Sequence, residues 1–149
     1  DFQDRLPSIT GSSVDGGVAP ARPSVTWTST APLGAADGTY VHLRWQDDVD
    51  GGLVRGSWTF VVPPSALSVV APSLPAGTLG TPTAAAAYQL PAGVVATDVS
   101  FVNGYGELRR AGATFAPTDH LLEDQFPRTA PPLPKNGSVR YSAFTVSGD

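Results

Sequence analysis

The chain has 149 residues, 41% of them hydrophobic and 15% charged, with a net charge of −4 and no Cys. That is enough apolar chain to bury a core without covalent staples, and the lack of Cys excludes disulfides, Cys-ligated zinc and a Cys nucleophile. Nine Lys and Arg form no basic cluster, which argues against nucleic acid as a partner, and no apolar run nears the ~18 residues of a transmembrane helix.

In chain order, the opening DFQDRLPSIT has Phe2, Leu6 and Ile9 as its apolar residues. It predicts an extended N-terminal arm and a first strand over 6–10. Residues 12–23 (SSVDGGVAPARP) are loop chemistry throughout. In SVTWTS (24–29), Val25 and Trp27 alternate with polar residues, the period of a half-buried strand. A loop with Asp37-Gly38 as its tight turn follows. In YVHLRWQ (40–46), Val41, Leu43 and Trp45 share one face, and Tyr40, His42, Arg44 and Gln46 point outward on the other. Residues 54–62 alternate likewise, with Val54, Gly56, Trp58, Phe60 and Val62 on one face. The intervening DDVDGG (47–52) reads as a hairpin loop. Trp45 and Trp58 then meet on the buried face as the centre of the core. Pro63-Pro64 ends the strand, since proline cannot donate to a ladder, and 67–70 forms another.

Residues 75–83 are irregular. In AAAAYQL (84–90) the helix propensity of four alanines is opposed by Pro82 and Pro91, so we expect an extended segment. VVATDVSFV (94–102) is a strand. Asn103-Gly104-Tyr105-Gly106 is a turn, with 107–110 starting the return strand. PTDHLLEDQFP holds the single short helix, near residues 118–126. A Pro-rich crossover at 127–137 leads to a last strand in VRYSAFTV. About eight short strands parted by Gly and Pro turns predict an all-β fold: one antiparallel β-sandwich domain over 1–149.

The segments VTWTST, YVHLRW and LSVVAPSLPAGT together resemble the fibronectin type III and immunoglobulin-like β-sandwich domains of exported bacterial proteins, including lipoproteins. The last is similar to the Leu–Pro–Gly–Thr corner of such domains. The tyrosine that usually follows that corner is missing, since 79–83 is LGTPT. The resemblance implies a spacer, adhesion or assembly role and fixes no site.

Five constellations bear on function. Asp47, Asp48 and Asp50 in a Gly-rich loop offer oxygen ligands to Ca²⁺, against solvated turn residues; the spacing is not that of an EF-hand. Asp119, His120, Glu123 and Asp124 offer a His beside carboxylates, against a polar helix face, and lack the second His of a zinc motif. No nucleophile elbow occurs, and His42 reads as an ordinary outer-face residue. Tyr40, Tyr88 and Tyr105 offer a stacking platform for sugars beside Arg44 and Arg55, against scattered surface aromatics. Ala130-Pro131-Pro132-Leu133-Pro134 offers a polyproline segment, against a stiff crossover.

No constellation makes an enzyme, and no cofactor is expected beyond the Ca²⁺ candidate. The start at Asp1, the absence of Met, and a composition low in lysine read as a processed mature chain or an excised domain, extracellular, at the cell surface or periplasmic. The expectation is a non-catalytic structural or protein-interaction module, a subunit of a larger surface or extracellular assembly, whose partners are other protein subunits or copies of itself. Pairing at an uncovered strand edge is the physical route. The alternative is a carbohydrate-binding module, assisted by Ca²⁺.

Overall fold

The computed structural model describes residues 5–16, 22–75, 78, 82–83, 85–88, 93–111 and 136–144. The helix expected near 118–126 and the polyproline segment lie outside the described residues, as does all but the end of the crossover. The chain is mostly strand. In order come β1 (Ile9–Asp15), β2 (Ser24–Ser29), β3 (Gly38–Val49), β4 (Gly52–Val62), β5 (Ser68–Val70), β6 (Ala87–Tyr88), β7 (Gly93–Val99), α1 (Tyr105–Ala111) and β8 (Val139–Phe144).

Two antiparallel sheets result. One has the order β1-β2-β5; the other has β4-β3-β7-β8, with β6 also paired to β3. β7 pairs with β3 over 38–42 and β6 with 45–46, so β6 and β7 lie in succession along one side of β3, and β4 takes the other. Both sheets feed one apolar cluster. Ile9, Val25 and Trp27 come from the first, and Val41, Leu43, Val62, Val94 and Ala96 from the second. Each fully buried Val or Leu there is worth about 1.5–3 kcal/mol in transfer free energy.

The expected Trp45–Trp58 contact forms, with ring centroids 6.3 Å apart. It stands at the margin of the core rather than its centre. Trp45 is buried, whereas Trp58 is only half-buried, because β4 borders its sheet.

Three elements differ from the sequence expectation. β1 runs through Asp15, although 12–23 read as loop. Its polar residues pair across strands, as in Ser13 Oγ with Thr26 Oγ1 at 2.7 Å, a form of sheet support that a hydrophobic pattern does not reveal. The hairpin loop shrinks from 47–52 to two residues, since Val49 pairs with Gly52. Asp50 and Gly51 both have positive φ, 54° and 77°, as a type I′ turn requires. Finally, Tyr105–Ala111 is helix, where a turn and a return strand were expected.

Helix α1 explains a second core. It starts after Gly104, whose carbonyl accepts from the Leu108 N–H at 3.1 Å. Glu107 reaches back to the Asn103 N–H at 2.7 Å, a variant of the capping box. Its fully buried Leu108 joins Tyr40, Val95 and Val99. The five-stranded sheet is therefore apolar on both faces near this helix. Among the described residues, no helix is long and apolar enough to cross a membrane.

Candidate functional site

The three aspartates of the Ca²⁺ candidate diverge. Strand alternation sends Asp47 and Asp48 to opposite faces of β3, and Asp50 sits in the turn. Asp47 is buried and accepts a hydrogen bond from the Thr83 N–H at 2.7 Å. That bond, with a second from the Thr83 hydroxyl, holds its carboxyl below the usual range. It pins the turn that leads into β6. Among the described residues, no group of three or more His, Asp or Glu is placed to hold a metal ion.

The tyrosines do not form a platform. Tyr40 does lie opposite the Val41–Leu43–Trp45 face, but α1 covers that side and leaves it fully buried. Tyr88 pairs with Trp45 and so lies on the other face of the sheet. Tyr105 donates its phenol O–H to the Val61 carbonyl at 3.1 Å. The cluster around His120 lies outside the described residues. His42 is half-buried on the outer face. Its Nε2 accepts from Arg44 Nε at 3.3 Å, and its Nδ1 lies 3.0 Å from Thr59 Oγ1. Since Arg cannot accept, the proton sits on Nδ1 and is donated to Thr59.

Burial of Tyr40 has a pH consequence. Desolvation pushes its phenol up from 10.0 to about 12. A folded-state value above the unfolded one gives stability that is present below pH 10.0 and is lost as pH rises through about 12. Tyr40→Phe is expected to remove that alkaline loss, read as the difference between wild-type and variant urea melts across this range. At neutral pH it should change stability little, because the hydroxyl has no hydrogen-bond partner among the described residues.

What the structure offers instead is the free side of β4. The β3–β4 ladder runs from Thr39↔Val62 to Val49↔Gly52 without a shift. The two-residue turn makes Val49 and Gly52 a hydrogen-bonded pair. By alternation the even residues of β4 bond to β3, and the N–H and C=O of Leu53, Arg55, Ser57, Thr59 and Val61 point away. Tyr105 takes the Val61 carbonyl. No hydrogen bond among the described residues reaches the main-chain groups of the other four.

Natural edges are blunted by brevity, proline, bulges or charge. β4 has 11 residues with no Pro and no register shift, and Arg55 is its one charged side chain. One face of the edge is apolar, carrying Val54, Trp58 and Phe60, with Trp58 and Phe60 in ring contact at 6.4 Å. The other carries Arg55, Ser57 and Thr59, with Arg44 and Asp48 diagonal to Arg55 on β3. The hairpin tip adds exposed Val49 and Leu53, the latter 60% accessible.

Compared with protein-family models, curated proteins and solved structures, the chain matches none. The site therefore rests on its geometry.

Proposed function

We propose that this chain is a non-catalytic interaction module, a β-sandwich of immunoglobulin-like layout, that takes an extended segment of a partner protein onto β4 as an added strand. The observation that supports this reading is the long, unshifted edge with a single charge. Four residues there present N–H and C=O groups to a partner, next to half-buried aromatics that a further strand would cover. Main-chain pairing then supplies affinity, and the side chains on the two faces of the added strand supply selectivity. On composition, with little lysine, we assign it to an exported surface or extracellular assembly.

The test is selection of extended peptides from an unbiased display library against the full chain, followed by amide mapping. Bound peptides are expected to shift and protect the amides of Leu53, Arg55, Ser57 and Thr59. Ser57→Pro should abolish binding while leaving the fold intact, since the N–H it removes points away from β3. Binders that map elsewhere, or that persist in Ser57→Pro, would contradict the proposal.

A further inference from the structure

Resting on the edge reading above, we propose the chemistry of the occupant. It is a strand of a partner protein that alternates carboxylate with apolar side chains, its acids on the Arg44/Arg55 side and its apolar residues over Trp58 and Phe60. Strand alternation divides the added segment between two faces, and β4 makes those faces chemically unlike. On one, Val54, Trp58 and Phe60 are half-buried, and Trp58 and Phe60 lie against the inter-sheet core. On the other, Arg55 is exposed, with Gln46 opposite it and Arg44 and Asp48 diagonal to it on either side. Arg44 spends its Nε on His42. Among the described residues, neither arginine has a carboxylate partner.

This is unusual in a chain of net charge −4. At the opposite edge of the same sheet, Arg140 of β8 is paired with Asp98 of β7, Nε to Oδ2 at 2.6 Å. The β4 side presents two arginines against one exposed carboxylate, Asp48, and uncovered backbone along the same line, and an acidic strand answers both the excess charge and the open backbone. A second copy of this chain fits less well. The outward-facing residues of β4 are Leu53, Arg55, Ser57, Thr59 and Val61, so self-pairing brings no carboxylate to Arg55. It also gathers two Arg44/Arg55 sets on one face, where like charges oppose pairing.

The experiment uses the full chain and three blocked peptides that alternate valine with glutamate, glutamine or lysine. Binding is read by fluorescence anisotropy and by backbone amide shifts. The glutamate peptide is expected to bind roughly tenfold tighter than the glutamine one, the sum of a few exposed charge pairs, with the lysine peptide weakest. It should shift the amides of Leu53, Arg55, Ser57 and Thr59. The double variant Arg44→Glu/Arg55→Glu should invert the order in favour of lysine. Equal affinity for glutamate and glutamine peptides, both lost in Ser57→Pro, would overturn the charge assignment and leave the edge reading standing. Undiminished glutamate-peptide binding in a folded Ser57→Pro chain, or no binding of any peptide at millimolar concentration, would overturn both.

Discussion

Replacing Gly56 by alanine, a single methyl group, is expected to destabilise the chain by about 2–3 kcal/mol, at the upper end of overpacking penalties. Gly56 pairs directly with Trp45 across the ladder, and the Nε1–Cε2–Cζ2 side of the indole lies against it. A Cβ there would fall inside contact range of three ring atoms, with Trp45 Nε1 at 2.9 Å. The ring cannot yield cheaply. It is 6% exposed and leans against Trp58, which in turn meets Phe60. On strand propensity alone the substitution would be favourable, because glycine is a poor strand residue. The sign of the effect therefore isolates the indole. Urea melts of Gly56→Ala should show the loss, and the same change in a Trp45→Leu background should show little or a gain. A similar loss in both backgrounds would mean that the indole is not what excludes a side chain.

This contact also shows what a sequence can and cannot convey. The hairpin was legible because β3 and β4 both alternate over many residues, and their Asp-Gly turn has its own chemistry. The Trp45–Trp58 meeting follows from that register. Tyr40 was placed on the correct face and given the wrong surroundings. Its cover comes from α1, a seven-residue helix in which Leu108 is the one fully buried apolar side chain among the described residues, too little to produce a period of 3.6. The readable trace of α1 was at its ends: Gly104, then Glu107 in the first turn and Arg109 and Arg110 in the last.

The candidate site was less legible still. Uncovered edges were anticipated as a route to partners, but which strand is an edge depends on sheet order. β4 borders its sheet because β6 and β7 together occupy the far side of β3, a long-range choice that no local pattern in 52–62 encodes. The three aspartates looked like a cluster because they are close in sequence. The same alternation that identified β3, carried two residues further, separates Asp47 from Asp48.

Loss of the Asp37 carboxylate is expected to release α1 and expose the second core. Asp37 Oδ2 accepts from the Val99 N–H at 2.8 Å, and Oδ1 accepts from the Gly104 N–H at 3.1 Å. Its own N–H donates to the Thr97 carbonyl at 2.8 Å. One half-buried side chain thus joins the start of β3 to both ends of the segment that turns β7 into the helix. Hydrogen bonds to charged acceptors are worth about 1.5–3 kcal/mol each, less with solvent access, so Asp37→Ala should cost about 3 kcal/mol. Asp37→Asn should cost about 2 kcal/mol, because its amide keeps one acceptor and turns a donor toward the other N–H. Hydrogen exchange is the decisive measurement. Protection should fall mainly over 99–111, where the anchored segment lies, while β2 and its pairing with β1 keep theirs. Uniform loss over both sheets would instead mean that α1 belongs to the global cooperative unit and is not locally anchored. The distinction matters for the proposed site. The Tyr105 phenol closes the free edge at Val61, so a helix that detaches with Asp37 would lengthen the uncovered backbone of β4. A helix that holds would keep the edge ending where the added strand must also end.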